Sequence, residues 1–364
     1  MVRWRSGTVT AIRRRWTGAV ELDAEVDGSP FRALAYPELV GEPAVGDRVL
    51  LNVGALVMGL GTGGYALVVA IPDRLPVDPP EDGRDRRSGH VVKARYTPLQ
   101  AIVLGVDEEA SPHRPLLVDA DDLGGMPVVT ADLHSALPAI LAGALADRPG
   151  LRIAYVMTDG GALPAGFSRT LAALADLLAG TVTVGQSFGG DLEATTVHSG
   201  LLAARYVLRA DLTVVAQGPG NLGTGTRWGF SGVGTGEAVN AAAALGGRPV
   251  GALRISGADP RPRHHGLSHH SGTAYGRVAL AGADLVVPDP LPPDLADAVD
   301  AALTELEAVA AGRHRVVRVP IDGLDSALRA SPVPLRTMGR DLDGDPAYFL
   351  ACAVAGRHAA GLVA

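Results

Sequence analysis

The sequence predicts an α/β protein in which a small N-terminal all-β, barrel-like domain precedes a mostly parallel sheet with helices on both faces. Three observations lead to this prediction. The chain has 364 residues, more than the roughly 100–200 residues of one ordinary domain. Short β-type runs fill the first 70 residues, and strands alternate with helices from about residue 98 onward.

The first domain is predicted to span residues 1–95. Its five short β-type runs begin at Thr8, Val20, Phe31, Arg48 and Tyr65. Several runs alternate apolar and polar side chains, the period of a half-buried strand, and no helical period intervenes. Such spacing favours a small closed or nearly closed barrel, because closure hides the strand edges. A linker rich in proline and charge is predicted at 72–89.

The second domain is predicted to span residues 96–364. Predicted strands lie at 101–106, 127–130, 153–158, 181–184, 212–216 and 250–256. Predicted helices lie near 132–146, 167–179, 192–208, 236–245, 294–311 and 345–360. Alternation of this kind is typical of a parallel sheet whose crossover helices cover both faces.

Composition narrows the class of protein. The net charge is −7 and aromatic residues make up 4%, so a nucleic-acid partner is not expected. The single cysteine excludes an intrachain disulfide and a cysteine zinc cage. The N-terminus lacks the apolar core of a signal peptide and no uninterrupted apolar stretch reaches the roughly 20 residues of a membrane span, so we expect a cytoplasmic protein without membrane contact. Whether it forms a homo-oligomer stays open.

Polar and glycine-rich loops follow four consecutive predicted strands. The candidate ligand-binding residues in these loops are Gly160, Gly161, Gln186, Gln217, Gly218, Gly220, Asn221, Thr224, Arg261 and Arg263. Ligands of open α/β sheets bind beyond the carboxyl ends of the strands, where glycine lets exposed N–H groups approach an anion. We therefore expect Asp159, Gln186, Gln217, Asn221 and His269 to line one concavity. The alternative is that glycine and aspartate there only turn the chain and cap helices.

Four of the ten histidines lie within residues 264–270. His265 and His269 have the i, i+4 spacing of one helical face, which allows metal chelation if Asp159, Asp191 or Asp259 adds a third ligand. A second interpretation makes the imidazoles acid–base or phosphate-binding groups beside two arginines. A third assigns them to helix capping and solvated loop structure. Whether a divalent metal is bound therefore stays open.

The sequence favours the acid–base interpretation over the metal pair. Gly266 and the prolines at 260 and 262 oppose a helix through residues 265–269. We predict an irregular loop that enters a helix near Ser268, with Ser268 as its N-cap and His269 and His270 in the first turn. The helix dipole disfavours protonated imidazoles at that position, so both should be neutral.

Several segments together resemble the bacterial domain-of-unknown-function family 3866. They include Tyr36-Pro-Glu-Leu39, Arg95-Tyr-Thr-Pro-Leu-Gln100, Thr158-Asp-Gly-Gly161, Gly189-Gly-Asp191, Gly229-Phe-Ser-Gly232 and Ser268-His-His270. The segments span nearly the whole chain. The resemblance implies one co-evolved two-part protein, and it implies no reaction and no catalytic residues.

From these residues we expect an enzyme that binds an anionic small molecule, such as a phosphorylated or carboxylated metabolite or a nucleotide, and performs hydrolysis or group transfer. Arginines and backbone N–H groups would hold the anion. The candidate catalytic residues are His265, His269, His270, Asp159 and Asp191. The alternative is a non-catalytic ligand sensor or assembly factor whose β-barrel docks a partner.

Overall fold

The computed structural model describes residues 2–77 and 89–364 and divides the chain between two units. The first unit comprises Met1–Leu104 and Pro164–Ala172, and the second comprises Gly105–Leu163 and Ala173–Ala364. The sequence placed the boundary near residue 95 and did not assign 164–172 to the first domain. The predicted linker at 72–89 falls mostly outside the described residues.

Five strands of the first unit form a closed barrel, as the sequence predicts. They are β1 (Trp4–Trp16), β2 (Ala19–Val26), β3 (Ser29–Ala35), β4 (Arg48–Asn52) and β5 (Ala66–Ala70), in the order β1-β2-β3-β5-β4. All neighbouring strands are antiparallel except β3 and β5, which are parallel. Inward side chains such as Val9, Leu22 and Leu51 fill the interior. This strand order is that of the OB-fold barrels, and a fold alone fixes no function.

Helix is nearly absent from the barrel. Its helices α1 (Pro37–Val40) and α2 (Gly54–Val57) have four residues each. A separate antiparallel hairpin of β6 (Val91–Lys93) and β7 (Ala101–Val103) follows within the first unit. The prediction that 101–106 belongs to the parallel sheet is therefore wrong for β7, which pairs with β6. Gly105 forms an isolated parallel bridge with Glu193, and the N–H of Val106 donates to the carbonyl oxygen of Glu193 at 2.7 Å.

The segment 164–172 completes the apolar surface of the barrel. Trp16 Nε1 donates to the carbonyl oxygen of Gly166 at 2.7 Å. Phe167 packs on the cluster that contains Leu34 and Tyr65. A Cβ atom on Gly166 would lie 2.7 Å from the backbone oxygen of Gly18, so the two backbones meet directly. Residues far apart in the sequence thus form one unit.

The second unit is built on an eight-stranded sheet. Its strands and those of two small hairpins are β8 (Pro127–Ala131), β9 (Ile153–Thr158), β10 (Gly180–Thr183), β11 (Leu192–Glu193), β12 (Leu212–Gln217), β13 (Arg248–Ala252), β14 (Ile255–Ser256), β15 (Gly266–Leu267), β16 (Asp284–Asp289), β17 (Arg315–Pro320), β18 (Arg336–Thr337) and β19 (Arg340–Asp341). The sheet order is β11-β10-β9-β12-β8-β13-β16-β17, and every neighbouring pair is parallel. Its strands β8, β9, β10 and β12 are almost wholly buried, as a sheet covered on both faces requires.

Helices cover both faces of the sheet. The helices of the second unit are α3 (Arg114–Leu117), α4 (Leu137–Asp147), α6 (Val197–Tyr206), α7 (Gly234–Ala244), α8 (His269–Thr273), α9 (Pro293–Ala310), α10 (Leu324–Arg329) and α11 (Pro346–Gly361), whereas α5 (Arg169–Ala173) lies almost wholly within the first unit. Helices α6 and α7 share one apolar cluster with the sheet, while α4 packs against α10 and α11. Within the described residues, no helix is both long and apolar enough to cross a membrane.

Three predicted helices are shorter in the structure. The helix predicted at 132–146 starts only at Leu137, because residues 132–136 form the loop that leaves β8. The one at 167–179 is reduced to α5 and a 3-10 turn. The one at 192–208 starts at Val197, because Leu192–Glu193 pairs with β10 as a strand.

Helices α4 and α11 touch backbone to backbone. A Cβ atom on Gly143 of α4 would lie 1.9 Å from the carbonyl oxygen of Ala353 in α11. A Cβ atom on Gly356 of α11 would lie 2.0 Å from the carbonyl oxygen of Ile140 in α4. Only glycine fits at the two positions, so this crossing fixes where α11 runs over the sheet.

Candidate functional site

The chain leaves neighbouring strands β12 and β8 in opposite directions. From β8 it continues to β9, which lies beyond β12, and from β12 it continues to β13, which lies beyond β8. Such a topological switch point is where open α/β sheets bind ligands. A small cavity of about 20 Å³, partly open to solvent, lies there between Ala131, Thr158, Gln217 and the first turn of α7. Such a space holds about one water molecule, so the cavity suits only a small chemical group.

Three histidines meet beside this edge of the sheet. His264 ends a 3-10 turn (Pro262–His264), and His269 and His270 open α8. Each offers one ring nitrogen, and these three atoms lie within 4.8 Å of one another. Ser268 caps α8, because its side chain accepts from the backbone N–H of His270 at 3.2 Å. The prediction that the loop enters a helix with Ser268 as its N-cap is thereby confirmed.

His265 does not belong to this cluster. Its side chain is exposed, whereas His264 is 2% exposed. The alternative metal pair of His265 and His269 on one helical face does not form, because Gly266, with φ +71°, turns the chain into β15 before the helix begins, as the sequence predicted. In the structure His264, and not His265, lies beside His269 and His270.

A buried arginine lies next to the histidines. Arg254 follows β13, is 3% exposed, and has Asp132 and Asp259 on either side with N···O distances of 3.6 Å each. Arg254 Nη1 also lies 3.4 Å from Nδ1 of His270. The same ring nitrogen lies 3.4 Å from Asp132 Oδ2. The site therefore holds a cation between two carboxylates, with an imidazole in reach of both charges.

Arg261 and Asp259 are already paired with each other. The carboxylate of Asp259 accepts from Arg261 Nε at 2.9 Å and Nη2 at 2.7 Å, and from Arg340 Nη2 at 3.2 Å. These arginines, Arg261 foremost, hold the pKa of Asp259 well below its usual range. Arg261 thus neutralises a protein carboxylate instead of facing a ligand, and Asp259 is not available as a metal ligand. By contrast, Arg263 is exposed and forms no ion pair among the described residues.

Four buried polar atoms of the site have no hydrogen-bond partner. They are Asp132 Oδ2, Gln217 Oε1, Arg254 Nη2 and His269 Nε2. A buried polar group without a partner costs about 1–3 kcal/mol, so folded proteins rarely leave several in one place. Their concentration at one edge of the sheet indicates atoms that are positioned for a ligand.

The surroundings keep two of the imidazoles neutral. Burial lowers the pKa of His264 to about 3 and that of His269 to about 4, and the charge of Arg254 contributes to both shifts. Burial alone would raise the pKa of Asp132, but His270 and Arg254 together outweigh burial and lower it. A histidine pKa far below 7 weakens general-base catalysis, whereas the neutral ring is the form that binds metal ions.

The other predicted side chains are spread over three loops. Asp159 is exposed, and its Oδ2 accepts from the backbone N–H of Gln186 at 2.8 Å. Asp191 lies at the opposite edge of the sheet, where its Oδ2 accepts from the N–H of Thr181 near the start of β10. Asp191 therefore does not join the site, because the loop after β10 runs back before β11 begins.

The loop after β12 contacts the site through its side chains. Gln217 Nε2 donates to the carbonyl oxygen of Asp132 at 2.8 Å and to Asn221 Oδ1 at 2.9 Å. Thr224 closes an exposed turn through Thr226 and Gly229. Of the five side chains expected in one concavity, only Gln217 lines the cavity at the switch point.

The glycines of these loops have mixed roles. Cβ atoms on Gly160, Gly161 and Gly218 would each lie within 2.4 Å of an oxygen atom of a neighbouring loop, so these glycines allow close packing. The N–H of Gly218 donates to Thr158 and does not face a ligand. Gly220 has φ +95° and open space around it, which is typical of a turn.

His264 and Arg254 are functional candidates that the sequence did not single out. Arg254 could have been found from its position, because a lone arginine directly after the buried strand β13 needs carboxylates around it. Nothing in the spacing distinguished His264 from His265.

A search of curated proteins and a search of solved structures returned no match. Comparison with protein families returned one whose match begins within β3 of the barrel and extends into α11. By this match over residues 32–356, the chain belongs to the family DUF3866, whose description is protein of unknown function.

Proposed function

We propose that the protein is an enzyme that binds an anionic small molecule at the carboxyl edge of its parallel sheet and catalyses hydrolysis or group transfer. The substrate class is a phosphorylated or carboxylated metabolite or a nucleotide. The observation that carries the proposal is the group of four unpartnered buried atoms at the switch point, on Asp132, Gln217, Arg254 and His269.

Arg254 supplies the main recognition of the anion. Its two carboxylate neighbours stay at 3.6 Å, beyond good hydrogen-bonding distance, and its Nη2 has no partner. A phosphate or carboxylate oxygen that reaches Nη2 would form a charge-assisted hydrogen bond in a dry environment, where such bonds are strong. Arg263, exposed in the same loop, adds a positive charge that guides the anion to the site.

The same groups suit a transition state that gains negative charge. Arg254 is held in place by burial and by its carboxylates, so it stabilises developing charge without reorganising. Asp132 can orient His270 from 3.4 Å. Both hydrolysis and group transfer need an oriented nucleophile and a stabilised anion, and these residues provide for both.

The test combines thermal shifts with calorimetry. Inorganic phosphate, pyrophosphate, AMP, ATP, glucose 6-phosphate and citrate are screened for a rise in melting temperature, since a ligand of the folded state stabilises it. For the ligand that binds, Arg263→Ala should weaken affinity at low salt and have less effect at high salt, because the exposed charge attracts the anion over a distance and salt screens that attraction. Arg254→Gln should abolish binding, and His265→Ala is the matched control in the same loop.

Product formation with that ligand distinguishes the enzyme from a sensor. Loss of phosphate or transfer to an added acceptor supports catalysis. Binding without any turnover would favour the non-catalytic ligand sensor. Unchanged affinity in Arg254→Gln would show that the anion binds elsewhere.

A further inference from the structure

We propose that His264, His269 and His270 form a binding site for one divalent transition metal ion, with zinc the best chemical match. The site goes beyond the proposed reaction and does not depend on it. Three imidazoles are the ligand set of an open zinc site, which leaves a fourth position for water or for a ligand atom.

The three rings are close to the geometry that such an ion needs. Zn–N distances of about 2.0–2.1 Å in a tetrahedron place ligand nitrogens roughly 3.3 Å apart. The candidate nitrogens lie within 4.8 Å of one another, and the ring centroids lie 4.5–4.9 Å apart. The nitrogens that are farthest apart must therefore approach each other by about 1.5 Å to bind one ion. Apo sites are commonly looser than loaded ones in this way.

One of the rings has the outer hydrogen bond that metal-bound histidines use, and a second ring lies close to a carboxylate that could provide one. His264 Nδ1 lies 2.7 Å from Ser268 Oγ, and His270 Nδ1 lies 3.4 Å from Asp132 Oδ2. A ligand histidine normally donates one ring N–H to a hydroxyl, carbonyl or carboxylate and binds the metal through the other nitrogen. In both residues that leaves Nε2 free for the ion.

Metal binding would also satisfy two of the unpartnered atoms. Nε2 of His269 is buried without a hydrogen-bond partner, and a metal ion gives it one. When His270 binds through Nε2, its Nδ1 must carry a proton, which it can donate to the unpartnered Oδ2 of Asp132. One ion would therefore give partners to both His269 Nε2 and Asp132 Oδ2, which have no hydrogen bonds within the described part of the protein.

Neighbouring residues fix the ring of His270 and set the local charge. Phe230 stacks on this ring with centroids 3.8 Å apart and planes at 5°. The cation nearest to the cluster, Arg254, is balanced by Asp132 and Asp259. Because Asp259 also pairs with Arg261, the two carboxylates offset two arginines, and Arg263, unpaired among the described residues, is the positive charge that an ion in the cluster still faces.

The experiment measures metal binding by the full-length protein without any substrate. The protein is stripped with EDTA, and Zn²⁺ is added back and counted by elemental analysis after dialysis. Co²⁺ is added in parallel, since its visible absorption reports nitrogen coordination of low symmetry. We expect one ion per chain in the wild type and in His265→Ala. His265→Ala is the matched control, because it removes an exposed histidine of the same loop.

Two kinds of variant test the assignment. His269→Ala changes the least buried of the three rings, and we expect its Zn²⁺ affinity to fall at least 100-fold while far-UV circular dichroism stays unchanged. If that variant misfolds, His269→Gln is measured instead. Asp132→Asn should weaken Zn²⁺ binding about 10–100-fold, the usual effect of removing the outer partner of a ligand histidine.

The proposal is overturned by less than stoichiometric Zn²⁺ in the wild type. It is equally overturned if His269→Ala and His265→Ala bind alike. Failure of anion binding would leave these metal measurements untouched, so the two proposals fail separately.

Discussion

Replacing Gly143 with alanine should loosen the crossing of α4 and α11. The added Cβ would lie 1.9 Å from the carbonyl oxygen of Ala353, 2.5 Å from its carbonyl carbon and 2.8 Å from its Cα. Non-bonded heavy atoms keep about 3.5 Å apart, so one helix must move by roughly 1.5 Å. All three contacts are backbone atoms, which cannot rotate away as a side chain would.

The expected cost follows from two opposing effects. Overpacking of a core costs about 1–3 kcal/mol, and the upper end applies because the backbone cannot yield locally. Alanine gains about 1 kcal/mol over glycine in a helix interior. The net loss of about 2 kcal/mol corresponds to a fall in melting temperature of roughly 4–8 °C for a unit of this size.

Urea unfolding followed by circular dichroism measures this loss, and Gly361→Ala is the matched control. Gly361 is the last residue of α11, and no atom lies within 4 Å of its Cβ position, so this variant should be neutral or slightly more stable. A Gly143→Ala protein as stable as Gly361→Ala would refute the close approach of the two helices.

The shift should also reach the candidate site. Asp345 precedes α11, and its carboxylate accepts from Ser256 Oγ at 2.6 Å and from Arg340 Nε at 3.0 Å. Arg340 in turn pairs with Asp259. Displacing α11 should therefore weaken ligand or metal binding in Gly143→Ala and leave Gly361→Ala unaffected, which calorimetry of the two variants checks.

Three further predictions concern stability. Burial lowers the pKa of His134 to about 4, so on acidification the unfolded chain takes up the proton before the folded chain does. This residue should therefore lower the free energy of unfolding of the metal-free wild type by about 1.4 kcal/mol per pH unit between about pH 6.5 and 4. The loss of stability between pH 7 and pH 5, measured by urea unfolding, should be smaller in His134→Gln, and an equal loss would contradict the pKa shift. Asp259→Asn should lower the free energy of unfolding by about 3–5 kcal/mol, because it removes a carboxylate that pairs with the buried Arg254. Asp343→Asn changes an exposed ion pair and should leave the urea midpoint nearly unchanged. Thr196→Ala removes the capping box of α6 and should cost about 1 kcal/mol in the same assay; no loss would show that the cap is redundant.

The alternation of apolar residues was enough to predict the fold class. Period-2 runs identified the barrel strands, and long apolar runs such as Ile153–Met157 identified the central strands of the sheet. The strands β16 and β17, next to and at one edge of the sheet, were missed because polar or proline residues bound short apolar cores, Leu285–Val287 and Val316–Val317. Their strand character comes from pairing in the sheet, which is a tertiary effect.

The candidate site was predicted in location and only partly in composition. Loop chemistry at strand ends led to Gln217 and to the His269–His270 pair, because strand direction alone determines which edge those loops share. Residue spacing could not show that Gly266 turns His265 outward, nor that Arg261 is taken up by Asp259. Both outcomes depend on backbone geometry and on pairs formed across loops.

The insertion of 164–172 into the first unit has a consequence for synthesis on the ribosome. The last barrel strand ends at Ala70, so the ribosome adds more than ninety residues before the partner of Trp16 is made. At about 5–20 residues per second this takes roughly 5–20 s. Throughout that interval Trp16 and Tyr65 lack the covering residue Phe167. The nascent barrel therefore presents an apolar face to chaperones until the first part of the α/β sheet has been translated.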